Sequence, residues 1–419
     1  MKFLVILLLP LFSIPAIAQE KNSIIGRILN GETNAPVPNA SVFITNTSRG
    51  TITNSSGDFE LRGIPNGNYD LVISSVGYST HVYSFSSDKL PLKLRVLLQP
   101  KAVELDAVTV EPFEQDGWEK WGKLFTENFI GTSGEARQCR IRNYKTIHFR
   151  YSKKNKILEA VADEPLIIQN NALGYRIQYQ LEEFRYSFNE RTLFYLGYTL
   201  FEDMGKNRKT IPRRYVAARK KAYLGSMMHF VRSLYFNKLE PEGFEVRRLV
   251  KTPNLEKQRV KKLKSEQSLS VNSNQKKQTI TISGGNIIRN GDQGDQLTTD
   301  SSDYYSRVLR QPDEIEIIGR SKLPADSLVS VVSDGTKLLF FPDYLHIKYK
   351  ALEEKEYLLQ SFMQYRKPNY QMSTVFLLQG SPLEIAKNGS YAPPQEFFSS
   401  GYWAWSEKIS HLLPVDYEP

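Results

Sequence analysis

The sequence predicts a mainly β protein with some α, in which a small antiparallel sandwich precedes a larger antiparallel β-rich α+β domain. Three observations point to this class. Short runs of β-forming residues with a period of two recur along most of the 419 residues. Clusters of turn formers separate those runs. Longer stretches with helical apolar spacing occur near 117–130 and 213–236.

Between residues 24 and 100 the runs are Ile24-Ile25-Gly26-Arg27-Ile28, Ala40-Ser41-Val42-Phe43-Ile44, Tyr69-Asp70-Leu71-Val72-Ile73 and Val76-Gly77-Tyr78. Ala40, Val42 and Ile44 share one face, and Ser41, Phe43 and Thr45 share the other. Phe59 and Leu61 likewise alternate with Asp58, Glu60 and Arg62, so one face of each strand is core. The breaks Asn54-Ser55-Ser56-Gly57-Asp58 and Ile64-Pro65-Asn66-Gly67-Asn68 read as turns in which Gly57 and Gly67 supply positive φ.

Taken in order, Ile25-Gly26-Arg27-Ile28, Ala35-Pro36-Val37-Pro38-Asn39-Ala40-Ser41-Val42, Gly50-Thr51, Ser56-Gly57-Asp58-Phe59, Pro65-Asn66-Gly67-Asn68-Tyr69 and Val76-Gly77-Tyr78 resemble the carboxypeptidase-like regulatory domain. The resemblance spans residues 19–100 and implies a transthyretin-type (prealbumin-like) sandwich of seven strands. Such modules stand beside zinc carboxypeptidases and at the periplasmic front of TonB-dependent outer-membrane transporters, and carry the catalysis in neither. The resemblance therefore implies a fold and a Gram-negative envelope compartment, but no reaction.

Met1-Lys2 precedes an almost wholly apolar run from Phe3 to Ile17, closed by Ala16-Ile17-Ala18 before Gln19. A basic start, a short apolar stretch and an A-x-A site make residues 1–18 a secretory signal peptide, too short to span a membrane. The mature chain is expected to start at Gln19 and to lie in the periplasm or at the outer membrane. No later apolar run reaches spanning length, so no transmembrane helix is expected after cleavage. Cys139 is the only cysteine, which excludes an intrachain disulfide.

Residues 101–116 read as a linker. Within it Leu105-Asp106-Ala107-Val108-Thr109-Val110 resembles the link from this module to a transporter plug, yet no plug-like sequence follows. The β-rich domain then runs in two parts, 117–251 and 305–419, around a polar excursion or linker at 252–304. Asp116 is placed to cap a helix whose Trp118, Trp121, Phe125 and Phe129 fall three and four apart, stopping near Gly131. Ile147, Phe149 and Tyr151, then Tyr175, Ile177, Tyr179 and Leu181, form the apolar sets of long strands. At Glu182-Glu183 the phase slips by one, so that Phe184, Tyr186 and Phe188 take over, as a β-bulge or turn requires. Tyr175, Tyr179 and Tyr186 are candidate ring contacts for a sugar or other flat ligand, although tyrosine is also ordinary strand material.

From Gly205 to Lys264 there are 18 Lys and Arg against 4 Asp and Glu, which accounts for the net charge of +10. A helix is expected over 213–236, with Val216, Tyr223, Met227, Phe230, Val231 and Leu234 on one face and Arg219, Lys220 and Arg232 off it. Arg213, Arg214, Arg219, Lys220 and Lys221 are candidate contacts for an anionic surface; the plainer alternative is a solvated face. Export argues against nucleic acid, leaving an envelope protein, a glycan or an anionic lipid surface as expected partners. Residues 252–304 are polar apart from Thr279-Ile280-Thr281-Ile282, and Asn290-Gly291-Asp292-Gln293-Gly294-Asp295 lacks the glycine and distal glutamate of an EF-hand. Strands resume at 314–318, 338–341, 345–349 and 375–378. Tyr402-Trp403-Ala404-Trp405 and a short helix lead into Leu412-Leu413-Pro414.

None of His81, His148, His229, His346 or His411 has Glu three residues later, and no H-E-x-x-H, G-x-S-x-G, P-loop or dinucleotide fingerprint occurs. No catalytic residue, metal ligand or cofactor is assigned on this pattern. Two function classes follow. One is a non-catalytic envelope protein that binds another envelope component through its β-rich domain. The other is an envelope hydrolase, acting on peptide or glycan, whose site is assembled from scattered residues. A shallow basic or aromatic surface marks the first, and a deep polar cleft with converging carboxylates or histidines marks the second.

Overall fold

The computed structural model describes residues 22–101, 112–206, 210–273, 281–283, 286–288, 299–360 and 366–419. The signal segment 1–18, the stretch 105–110 and the loop from Asn290 to Asp295 lie outside the described residues. Up to residue 101 the period-two runs become seven strands, β1 (Ser23–Asn30), β2 (Ser41–Ile44), β3 (Gly50–Ile52), β4 (Asp58–Arg62), β5 (Asn68–Ser74), β6 (His81–Ser86) and β7 (Leu92–Leu98). They pair into two sheets, β4-β1-β7 and β3-β2-β5-β6. Ile24, Ile28, Phe59, Leu61 and Val96 of one sheet bury against Val42, Ile44, Leu71 and Ile73 of the other, which is a face-to-face sandwich. One pair departs from the antiparallel expectation: β1 and β7 run parallel from Ile24↔Leu92 to Asn30↔Leu98. A crossover from the opposite sheet delivers β7, and only a tight hairpin imposes antiparallel pairing. Gly57 has φ +74 and a Cβ there would lie 2.4 Å from the Ile28 carbonyl oxygen, so this turn admits no side chain.

The second core forms under α1 (Gly117–Phe129). Phe125 and Phe129 are fully buried, each contributing about 1.5–3 kcal/mol of apolar transfer. They press on a six-stranded sheet of β8 (Cys139–Ile141), β9 (Ile147–Ser152), β10 (Ile157–Ala162), β11 (Leu166–Asn170), β12 (Tyr175–Ser187) and β13 (Thr192–Asp203). The β12–β13 ladder shifts register between Leu181 and Glu183, at the place where the apolar phase of the sequence slips.

The helix expected over 213–236 is two helices, α2 (Arg213–Tyr223) and α3 (Met227–Tyr235). Gly225 takes φ +79 after the first, and Ser226 Oγ accepts from the His229 amide at 3.1 Å to start the second. The chain continues through β14 (Phe244–Pro253), α4 (Leu255–Ser273), β15 (Thr281–Ser283), β16 (Asn286–Ile288), α5 (Thr299–Arg310) and β17 (Glu314–Lys322). After these come β18 (Val329–Val331), β19 (Lys337–Leu339), β20 (Tyr344–Glu353), α6 (Lys355–Gln360), β21 (Tyr370–Leu377), β22 (Leu383–Ile385), β23 (Tyr391–Ala392), β24 (Phe397–Gly401) and α7 (Tyr402–Ser406). A five-stranded sheet runs β17-β14-β20-β21-β24, and a smaller one runs β18-β19-β22-β23. Phe230, Val231 and Leu234 of α3 pack with Phe244, Val246, Leu345, Ile347, Val375 and Trp403 in the third core.

The polar segment 252–304 is not a plain linker. Its described residues include two helices between β14 and β17, of which α4 lies against α5, with Val260 and Val308 buried. Asn254 Nδ2 donates to Gln311 Oε1 at 3.1 Å and Lys261 pairs with Asp313 at 2.6 Å. Its Leu, Glu, Lys and Gln are strong helix formers, so polarity there marks exposure rather than loop. Among the described residues no helix is long and apolar enough to cross a membrane.

Residues 402–417 tie the three cores together. Trp403 Nε1 donates to the Gly225 carbonyl at 2.7 Å, and Glu407 Oε1 accepts from the Met227 amide at 3.0 Å. The amides of Ile409 and Ser410 donate to Phe129 and Ile130 carbonyls at 3.2 Å each. Val415 N donates to Asn46 O of the sandwich at 2.7 Å, and Asp416 accepts from Ser48 Oγ at 2.7 Å.

Gly225 sits where this tie meets the α2–α3 corner. A Cβ there would lie 2.5 Å from Gln371 Oε1 and 2.6 Å from the Tyr349 ring, on a φ of +79. Gly225→Ala is expected to destabilise the protein by about 2 kcal/mol or more, read as a lowered thermal midpoint. An unchanged midpoint would show that the corner relaxes freely.

Candidate functional site

The five basic residues singled out on the helix do not form one surface. Arg219 is buried, with its Nη atoms 2.9 Å from both oxygens of Asp203, Nε 2.8 Å from the Leu173 carbonyl and Nη2 3.2 Å from the Gly174 carbonyl. Its guanidinium carbon lies 3.9 Å from the Tyr175 ring centroid. This is an internal clamp between α2 and the β11–β12 turn, because a five-donor planar group can satisfy a carboxylate and two carbonyls together. Burial works to raise the Asp203 carboxyl, but Arg219 and the Gly205 amide outweigh it and hold the group below its ordinary value. Lys221 Nζ reaches Glu135 at 2.7 Å, and the Arg214 guanidinium stacks on Tyr215. Arg213 and Lys220 remain solvated.

Two of the three candidate tyrosines are core rather than ligand contacts. Tyr175 and Tyr179 are each 3% exposed; Tyr175 meets Phe201 and Tyr179 meets Phe129, both edge-on. Tyr186 is half-buried against Phe188. The inward face of β12 needed large side chains, and tyrosine filled it. Cys139 is also buried, which pushes its thiol up to about 12 and keeps it protonated.

A small polar chamber of about 40 Å³ lies between the second and third cores, lined among others by Lys221, Gln371, Tyr402, Ser406, Glu407 and His411. Gln371 Oε1 and Ser406 Oγ are buried there without a hydrogen-bond partner among the described residues. His411 Nε2 stands 3.3 Å from Glu135 Oε2, without hydrogen-bond alignment. The His411 contact first, then Lys221, keep the Glu135 carboxyl well below the carboxylate range against the opposing effect of burial. Burial raises the Glu407 carboxyl, partly offset by the Met227 amide. The space holds about three water molecules. Among the described residues no group of three His, Cys, Asp or Glu is placed to hold a metal.

The broadest functional geometry is on the five-stranded sheet, on the face turned away from α3. Antiparallel partners point to one side, so the ladder registers place Ile318, Leu249, Tyr344, Phe376 and Phe398 in a single row across all five strands. Leu249 is buried within the row, Ile318 is 45% exposed, and the three rings are half-buried. Tyr344 and Phe376 lie 5.3 Å apart, and Phe376 and Phe398 stack at 5.5 Å with 27° between planes. Two residues along four of the strands, and four along β17 where the β14–β17 ladder shifts register, a second row reads Lys322, Arg247, His346, Thr374 and Ser400. An apolar ribbon thus runs beside a polar one. None of the three rings belongs to the hydrophobic cores described above. Sequence alternation could assign Tyr344 and His346 to the side opposite Leu345 and Ile347, but only the inter-strand register lines them up with Phe376 and Phe398.

The two roles of the basic helix separate by stability. Arg219→Ala leaves Asp203 unpaired and is expected to cost about 3–5 kcal/mol, whereas Arg213→Gln and Lys220→Gln are each expected to stay within about 0.5 kcal/mol. Thermal or urea unfolding of the three variants checks this. Equal effects would contradict the internal clamp.

Comparison with known proteins adds the family of the first module. No curated protein matches the chain. Among solved structures, a type II cohesin–X-dockerin complex mutant from Acetivibrio cellulolyticus is 23% identical over 19% of this chain and 58% of that chain, with a TM-score of 0.17. This chain therefore spans little over half of that structure's length. A proposed carbohydrate binding protein from Bacteroides uniformis is 13% identical over 45% of this chain and 81% of its own, with a TM-score of 0.15. Likenesses at these scores carry no functional argument. Residues 24–110 match the family model of the CarboxypepD_reg-like domain, the family that the strand and turn motifs between Ile25 and Tyr78 resemble.

Proposed function

We propose that the protein is an exported, non-catalytic envelope protein that binds another envelope component on the outward face of its five-stranded sheet. The observation that carries this reading is the row Ile318, Leu249, Tyr344, Phe376 and Phe398, held in register across five strands with a polar row beside it. Half-buried aromatic rings on a rigid sheet offer large contact area at little conformational cost, and none of the three packs into one of the hydrophobic cores. The signal-like residues 1–18 and the match to the CarboxypepD_reg-like domain support a periplasmic or outer-membrane location. The basic helix supports the reading less, since Arg219 is internal and Lys221 is paired. A hydrolase would need a cleft for peptide or glycan; the chamber lined by Glu407 and His411 has room for water only, and the larger cavity of about 330 Å³ holds both its carboxylates, Glu240 and Glu245, in ion pairs.

Cross-linking the native protein in its envelope and recovering the adduct tests the reading. The recovered chain is expected to begin at Gln19 and to carry a partner component. Phe376→Ser with Phe398→Ser is expected to reduce capture at least tenfold, equivalent to about 1.4 kcal/mol, while Arg213→Gln with Lys220→Gln leaves it intact. Capture that survives the first pair and fails with the second would move the binding surface to α2.

A further inference from the structure

The same sheet face carries a charge pattern that narrows its ligand, an inference that rests on the binding role proposed above. By ladder register, Arg247, Lys251, Lys322 and Lys348 share the outward face with Glu245, Glu314 and Glu316, and Lys322 is paired with Glu240 at 2.9 Å. Arg247 and Lys350 both close on Glu245, at 2.7 and 2.5 Å, and Lys251 pairs with Glu316 at 3.3 Å. Among the described residues Lys348 has no carboxylate partner, and it is half-buried on the strand that also carries Tyr344 and His346. One step beyond the polar row, on the side away from the rings, Lys348 stands opposite Glu245, whose carboxylate is taken by Arg247 and Lys350, so the positive charge of Lys348 is left for a ligand.

A ligand that complements this face must be apolar along one edge, rich in hydroxyl groups beside it, and negatively charged farther out. We infer that the ligand is an anionic polysaccharide, with sugar rings stacked on Phe376 and Phe398 beside Tyr344, hydroxyls meeting His346, Thr374 and Ser400, and acidic substituents meeting Lys348. A pyranose ring has a C–H face for the rings and hydroxyls around its rim for the polar row. The three aromatic side chains sit one strand apart, and with Lys251 Nζ 4.8 Å from the centre of the Tyr344 ring, Phe376 and Phe398 offer successive stacking places to a chain laid across the strands. His346 is held below its ordinary value, by burial first and then by Lys348, so near neutral pH it is uncharged and can both donate and accept a hydrogen bond. A lipid bilayer offers no ring faces to the aromatic row, and an acidic peptide offers few hydroxyls to the polar one.

Affinity electrophoresis of the full chain through gels holding polygalacturonate, dextran or polyglutamate tests this. Retardation is expected with polygalacturonate, at least tenfold stronger than with either of the others. Phe376→Ala is expected to weaken it at least tenfold and Lys348→Gln at least threefold, with circular dichroism confirming that each variant folds. Lys348 belongs to none of the hydrophobic cores, so its variant keeps the test valid even if a ring variant unfolds. Equal retardation by polyglutamate would show attraction by charge alone, and equal retardation by dextran would remove the acidic group; either overturns the inference, as does no retardation at low salt. If polygalacturonate is not bound but Phe376→Ser with Phe398→Ser still abolishes envelope capture, the ligand class falls and the binding face stands. If polygalacturonate binding depends on the rings but envelope capture does not, the polysaccharide assignment stands and the proposed envelope role falls.

Discussion

One short segment, from Tyr402 to Tyr417, decides how the rest of the molecule is held. The sandwich, the α1-covered sheet and the five-stranded sheet each have their own core, and each could in principle move against the others. The closing segment removes that freedom by giving hydrogen bonds to all three. Trp403 is fixed to the α2–α3 corner, Ser410 to α1 and to Asn170 Nδ2 at 2.9 Å, and Val415 to the sandwich. Arg232 Nη2 then donates to the carbonyls of Val415 and Tyr417 at 3.1 and 3.0 Å, closing the loop back onto α3. Each bond contributes only about 0.5–1.5 kcal/mol net, but breaking one leaves buried backbone groups unpaired, so they hold as a set.

This arrangement explains where polarity ends up. Three cores meeting at one seam cannot seal it with apolar side chains alone, because the closing segment brings its own backbone polar groups and the seam must satisfy them. Glu135, His411, Lys221 and Glu407 gather there as partners for that seam and for each other. Gln371 Oε1 and Ser406 Oγ, without a hydrogen-bond partner among the described residues, face a space the size of a few waters. Burial forces the ionisable groups together, and their convergence is therefore a property of the joint. The outward sheet face is under no such constraint. Its aromatic row is not demanded by any core, so a ligand is the simpler reason for rings at those positions.

Much of the fold was legible in the sequence because alternation and spacing are local. The β-runs of the sandwich, the aromatic stripe of α1 and the bulge at Leu181 and Glu183 are all visible as period and phase. Three features were not local. Gly225 ends a helix whose apolar pattern continues through it, so the break at the α2–α3 corner was hidden by good periodicity. Arg219 looks like its solvated neighbours Arg213 and Lys220, because nothing in sequence spacing shows Asp203 waiting across the turn. Tyr175 and Tyr179 look like Tyr344 in composition, yet the first two face inward and the third outward. The candidate site suffered most from this. A row across five strands joins residues from Leu249 to Phe398, and its existence depends on registers that no single strand encodes.

Footprinting is the most direct test of the binding face. Native protein labelled with a side-chain-reactive carbene in intact envelopes is compared with the purified protein, residue by residue. Protection in the envelope is expected at Tyr344, Phe376 and Phe398, with Arg213, Lys220 and the exposed Tyr83 of the sandwich labelled equally in both. Full labelling of the three rings in the envelope, with protection concentrated on α2 or on the sandwich, would contradict the assignment of the sheet face as the binding surface.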